Sequence, residues 1–131
     1  MKKFLLYLLT LMCMLSFFTG CKQNDLNKND DKTESYYVDN HWSMYYENLN
    51  ETKSVTVSEV TGENIAFSVE TGAMEGSLDI KIKDDKGNIC YQKTDLKTSK
   101  FTETISNPGK FTVEVTGKNH QGYFSILWNG K

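Results

Sequence analysis

Along most of this chain apolar residues recur at every second position. In "SLDIKIKD", Leu78, Ile80 and Ile82 fall on one side and Ser77, Asp79 and Lys81 on the other. "KFTVEVTG" sets Phe111, Val113 and Val115 against Thr112, Glu114 and Thr116, "NIAFSVE" supplies Ile65, Phe67 and Val69, and "KSVTVSEV" supplies Val55 and Val57. Such alternation is the pattern of strands with one face buried and one wet. "GYFSILWN" alternates less cleanly, with Phe124, Ile126 and Trp128 facing one way and Tyr123 and Leu127 the other, as expected of a strand covered on both faces or sitting mid-sheet. The joints between these runs are turn formers. "DDKGN" at 84–88 and "GKNHQG" at 117–122 read as hairpin loops, and "NPGK" at 107–110 as a type II turn. The strands expected are 41–47, 53–60, 64–70, 76–83, 88–93, 99–105, 110–116 and 121–129. No helical stripe is sustained beyond the first 20 residues. The pattern predicts an all-β fold, a single antiparallel β-sandwich of seven or eight strands, jelly-roll or immunoglobulin-like, over residues 36–131.

The first 20 residues follow a different rule. Lys2 and Lys3 precede an uncharged apolar run from Phe4 to Phe18, the pattern of a secretory signal peptide. At about 15 residues the run is short for a membrane span, which needs roughly 20. From Lys22 to Ser35 the chain has one apolar residue, Leu26, among Asn, Asp, Lys and other polar residues. That composition cannot bury enough surface to order itself, so residues 21–35 are expected to be a flexible tether with an end-to-end distance of roughly 20 Å.

At the boundary, Phe18-Thr19-Gly20-Cys21 resembles the lipobox of bacterial lipoproteins. Phe18 departs from that pattern, which usually holds leucine or another aliphatic there. The resemblance implies cleavage before Cys21 and attachment of a diacylglycerol, with acyl chains such as palmitate, to its sulfur. Each buried methylene contributes about 0.8 kcal/mol, so two or more long chains make a stable anchor. The chain is then expected at a bacterial cell membrane, lipid-anchored, on the extracytoplasmic face of the envelope.

Loss of residues 1–20 removes two lysines and no acids, leaving 13 lysines and no arginine against 17 acids, a net charge of −4. That balance argues against nucleic acid as a partner and gives little attraction to anionic lipid. Of the three cysteines, Cys13 leaves with the signal and Cys21 carries lipid, so Cys90 stands alone and no disulfide is available.

Candidate chemistry is sparse. The stretch "SYYVDNHWSMYYENLNE" holds Tyr37, Trp42, Tyr45 and Tyr46, which would form an aromatic platform for a sugar ring or a partner's side chain. The competing reading makes Trp42 and Tyr46 core residues of a first strand. Asp84, Asp85 and Asn88 suggest a calcium loop only weakly, because the acids are adjacent rather than alternating and Lys86 intrudes. An ordinary charged turn is the simpler expectation. Cys90 with His41 or His120 would make a thiol nucleophile and base, or a metal site. The spacing matches no motif for either, and the pattern places Cys90 as a small buried core residue and His120 at an exposed hairpin tip. No catalytic residue, cofactor or metal is expected.

From "GSLDIKIKDDKGNICYQ" through "NPGKFTVEVTGKNHQGYFSILW" the chain resembles small secreted bacterial β-sandwiches, the pre-peptidase C-terminal and carbohydrate-binding-like modules. Gly76, Leu78, Asp85, Pro108-Gly109, Phe111, Gly122-Tyr123 and Ile126 carry the resemblance. They are turn formers and core positions, so it implies a fold and no catalytic role. Together these features point to a non-enzymatic, lipid-anchored binding or interaction module whose ligand is a protein, a peptide or an envelope glycan. The alternatives are a small envelope enzyme or metal carrier built on Cys90 and the histidines, and a purely structural spacer.

Overall fold

A computed structural model describes residues 33–130. The signal segment, Cys21 and the tether as far as residue 32 lie outside the described residues. Among the described residues there are seven strands, β1 (Glu34–Val38), β2 (His41–Leu49), β3 (Thr52–Val57), β4 (Asn64–Asp84), β5 (Ile89–Leu96), β6 (Ser99–Ser106) and β7 (Phe111–Gly130), all paired antiparallel. Four of the eight expected strands have fused into two. Residues 64–70 and 76–83 are the two halves of β4, and 110–116 and 121–129 the two halves of β7. The expected hairpin at 117–122 is a bend inside a strand. A strand at 34–38 was not expected from the pattern, and its first two residues come from the stretch expected to be tether.

The long strands pair with each other end to end, from Ile65 opposite Gly130 to Asp84 opposite Phe111. Both bend at the same level, where the register shifts between Ala73 and Ser77. The bend depends on glycine. Gly76 and Gly122 have φ of 68° and 149°, and a Cβ on either would strike main-chain oxygen, that of Asn119 or of Gly72. The β4–β7 ribbon thus folds over on itself, and the short strands flank its halves. One layer reads β1-β2-β7-β4-β6 and uses the C-terminal half of β7 and the N-terminal half of β4. The other reads β3-β7-β4-β5 and uses the remaining halves.

The two layers close over one core, as a sandwich requires. Phe111 of the four-stranded layer meets Phe67 and Trp128 of the five-stranded layer, edge to face, with centroids 5.6 and 6.3 Å apart. Trp42 stands edge-on to Phe124 at 4.8 Å. Such pairs are worth about 0.5–1.5 kcal/mol each beyond the area they bury. Ile65, Leu78, Ile80, Ile82, Val113 and Val115 fill the space between, as the alternation predicted.

Two expected turns form as read. In "DDKGN" both Asp84 carboxylate oxygens are used internally: Oδ1 accepts the amides of Lys86 and Asn88, and Oδ2 the Asn88 side chain. In "NPGK" Asn107 Oδ1 accepts the Gly109 amide at 2.9 Å. Its Nδ2 donates to the carbonyls of Val60 and Gly62, joining this turn to the β3–β4 loop.

Candidate functional site

A sandwich has two outer faces, and here they differ in kind. On the four-stranded layer, Thr52 pairs with Thr116 and Thr56 with Thr112 through hydroxyl hydrogen bonds of 2.7 and 3.1 Å. Lys83 pairs with Glu114 at 3.0 Å and Lys118 with Asp79 at 2.9 Å. This surface spends its polar groups on itself and carries no aromatic ring among the described residues.

The five-stranded layer is built otherwise. Residues opposite one another in neighbouring strands share a face, so the register gives three rows running across the strands. The first row is Glu34, Tyr45, Tyr123 and Gly72, the second Tyr36, Ser43, Ser125, Glu70 and Lys100, and the third Val38, His41, Leu127, Ser68 and Thr102. The middle row has short serines at its centre, while bulkier side chains stand to either side: Tyr45 and Tyr123 on one, His41 and Leu127 on the other. The result is a shallow trough crossing β1, β2, β7, β4 and β6. At about 4.8 Å between strands it is roughly 19 Å long. It holds two depressions that share Ser125. One, of about 500 Å³, is walled by Glu34, Tyr36, Tyr45 and Tyr123 above Ser43 and Ser125. The other, of about 330 Å³, lies among Ser68, Glu70, Lys100, Thr102 and Leu127.

Its rings are held in place and still open to solvent. Tyr36 and Tyr45 are about half exposed. The Tyr123 ring lies over Gly72, in the space a Cβ would fill, and its hydroxyl donates to Glu70 Oε1 at 3.0 Å. That bond to a carboxylate raises the Tyr123 phenol above its usual range and keeps it a donor. Lys100 approaches the other Glu70 oxygen at 3.6 Å. His41 Nε2 and Ser125 Oγ are hydrogen-bonded at 2.8 Å, and the Tyr36 ring leans on the imidazole at 5.4 Å. A third depression, of about 440 Å³, lies outside the bend of β4 among Ala73–Ser77, Asp95 and Lys97. It offers no aromatic ring.

The platform expected of Tyr37, Trp42, Tyr45 and Tyr46 does not form. Trp42 and Tyr46 are 3% and 1% exposed, because β2 turns its even-numbered residues into the core. Tyr45 alone of the four reaches the trough. Tyr37 is exposed but lies on the opposite side of the sheet, beside Trp128 at 6.2 Å. Tyr36, Tyr123, His41 and Glu70 were missed, although the outward phase of Tyr123 and Leu127 was a usable signal. The last strand sits mid-sheet, between β2 and β4, which was one of the two expectations; it is not covered on both faces, since Leu127 is exposed.

Two further expectations are corrected. Cys90 is exposed on the edge strand β5, where its Sγ lies 3.8 Å from the Asn88 carbonyl. Local desolvation, and then the Asp84 carboxylate, push its thiol above the usual range. His120 is fully buried, because the segment expected to be a hairpin tip is the inside of a bend. Its Nδ1 and the Tyr46 hydroxyl are hydrogen-bonded at 2.8 Å, while Nε2 has no partner among the described residues. The structure therefore does not assemble Cys90 with either histidine. His41 is bound to Ser125, His120 to Tyr46, and Cys90 stands in the other layer. No group of three or more His, Cys, Asp or Glu residues suited to a metal ion occurs among the described residues.

No protein-family model matches the chain, and no curated protein matches it in sequence. Among solved structures it is similar to a carbohydrate-binding module of the Cellvibrio mixtus lichenase 5A in complex with cellotriose, at 11% identity and a TM-score of 0.47, over 79% of this chain and 88% of that one. A second is a carbohydrate-binding module in complex with β-1,4-galactotriose, at 15% identity and a TM-score of 0.43, over 76% and 70%. A third is the assembly of accessory secretory proteins 1, 2 and 3 of Streptococcus pneumoniae, at 18% identity and a TM-score of 0.38, over 72% and 84%. At such values the likeness is one of strand arrangement and carries no argument about what this chain binds.

Proposed function

We propose that this chain is a non-enzymatic, lipid-anchored binding module on the extracytoplasmic face of a bacterial membrane, and that its trough binds an oligosaccharide. The observation behind the reading is the contrast between the two outer faces. One is a closed net of threonines and ion pairs, while the other presents Tyr36, Tyr45 and Tyr123 beside serine hydroxyls and a fixed carboxylate. Sugar rings have apolar faces that stack on aromatic side chains and hydroxyls that need paired donors and acceptors. A long, open, shallow trough suits a chain of such rings better than a compact metabolite, which favours an enclosing pocket. The anchor rests on the FTGC sequence ending at Cys21.

The test is titration of envelope oligosaccharides into the protein and its Tyr45→Ala and Tyr36→Ala variants. Both side chains are exposed, so the variants should unfold like the wild type. Each should bind at least about fivefold more weakly, the equivalent of one lost aromatic contact. Unchanged affinity in both would remove the trough from the account. Cys21→Ala should move the protein from the membrane to the soluble fraction; if it still sediments with membranes, the anchor is elsewhere.

One observation favours a second reading, a peptide partner. Edge strands β3, β5 and β6 point Lys53, Lys93 and Glu103 inward, a device that discourages pairing with another strand. Strand β1 has no inward charge, and every one of its five residues is exposed. An extended peptide adding to β1 would leave the Tyr45→Ala variant able to bind and would be lost on Tyr37→Pro.

A further inference from the structure

We infer that the sugar entering the β1 end of the trough carries a free amino group, held as an ammonium against the tyrosines and Glu34. The inference rests on the saccharide reading of this face and adds the chemical class of the ligand. It comes from which charges line the depression. Among the described residues its wall contains three tyrosines and one carboxylate, Glu34, and no lysine. Among the described residues the only lysine in the rows of this face, Lys100, lies at the far end beside Glu70. A ring of tyrosines open to solvent attracts a cation through the negative faces of its π-systems, and a carboxylate at the rim adds direct charge complementarity. The same depression opposes an anionic ligand, because nothing in its lining compensates phosphate or a uronic acid. Ser43 at the floor, with the hydrogen-bonding capacity that Ser125 keeps beside its bond to His41, can pair with sugar hydroxyls, as an amino sugar requires and a bare ammonium ion does not.

Three oligosaccharides of equal length separate the possibilities when titrated into the full-length protein in detergent micelles: a glucosamine tetramer, its N-acetylated form and a neutral glucose tetramer. Choline chloride serves as the ammonium without the sugar. The glucosamine tetramer should bind about tenfold more tightly than the other two, as expected for a cation placed over aromatic faces. The difference should shrink as salt is raised. Glu34 is exposed at the start of β1, so Glu34→Gln should fold normally and cut the preference by about threefold. Equal or tighter binding of the acetylated tetramer would overturn the inference and leave the saccharide reading standing. So would a preference that survives Glu34→Gln undiminished. Binding of choline with no binding of any tetramer would overturn both, and so would failure of every probe.

Discussion

The bend that turns one layer into the other encloses an ionisable group, and acid is the perturbation that should find it. His120 is fully buried beside Tyr46 and Leu49, with one ring nitrogen bonded to the Tyr46 hydroxyl and the other without a partner among the described residues. Burial lowers its affinity for a proton below that of the free side chain, whose pKa is 6.5. Burial alone causes that shift. With Nδ1 accepting from the Tyr46 hydroxyl, the neutral ring already carries its hydrogen on Nε2; protonation adds a second hydrogen at Nδ1, which can then no longer accept from Tyr46, and puts a charge in the interior. Burial also raises the Tyr46 phenol, which stays a protonated donor. The unfolded chain therefore takes up the proton before the folded one. Stability is complete above 6.5 and falls as the pH drops below it, by at most about 1.4 kcal/mol per pH unit. The loss levels off once the folded state is also protonated. For a domain holding about 5–15 kcal/mol in total, that slope is large. Urea unfolding of the wild type and of Tyr46→Phe/His120→Phe, between about pH 8 and about pH 5, measures it directly. The double variant removes both partners at once, so neither is left orphaned, and its stability should vary less over that interval. Asp79 and Asp84 also carry lowered pKa values and so lose stability as pH falls. Their loss comes below 3.8, outside the interval. Equal slopes in the two proteins would refute the reasoning.

Three further outcomes follow from the geometry. Trp42→Ala should cost about 3–5 kcal/mol, as removal of a fully packed core aromatic does, and thermal unfolding should report it even without ligand. Gly72→Ala should lift the Tyr123 ring off the sheet, destabilise the protein by about 1–3 kcal/mol, and weaken binding by more than that change in folded fraction explains. Cys90 in the native protein should react completely with iodoacetamide, faster as the pH rises; a reaction that waits for denaturant would contradict its exposed position.

Much of the fold was legible because alternation depends only on which side of a pleat each residue takes. Leu78, Ile80, Ile82, Phe111, Val113 and Val115 all face the core as their spacing indicates. What the pattern could not give was continuity. Glycines at 76, 117 and 122 suit a hairpin turn and an intrastrand bend equally well, and only pairing between residues far apart in the chain decides between them. That one ambiguity turned two long strands into four and moved His120 from an exposed tip to the interior. The site was less legible for a related reason. In "HWSMYYENL" the two phases are both aromatic, so the sequence shows where tyrosines are abundant but not which of them face out. Tyr45 and Tyr123 become neighbours only because β2 lies beside the far end of β7. Cys90 reads as a core residue because it sits inside the short strand run "NICYQ". Strand β5 is an edge strand, however, and its short run beside the 84–88 turn leaves the thiol in solvent.

The claim on which the account most depends is that the open face of the five-stranded layer, with its tyrosines, is the binding surface. Backbone amide chemical shifts of isotopically labelled protein, followed while a glucosamine tetramer is added, test it without any substitution. Saturable shifts are expected at Ser43, Tyr45, Tyr123 and Ser125, while Thr56 and Thr112 on the other layer stay still. Shifts confined to the threonine face, or to the outside of the β4 bend, would contradict it.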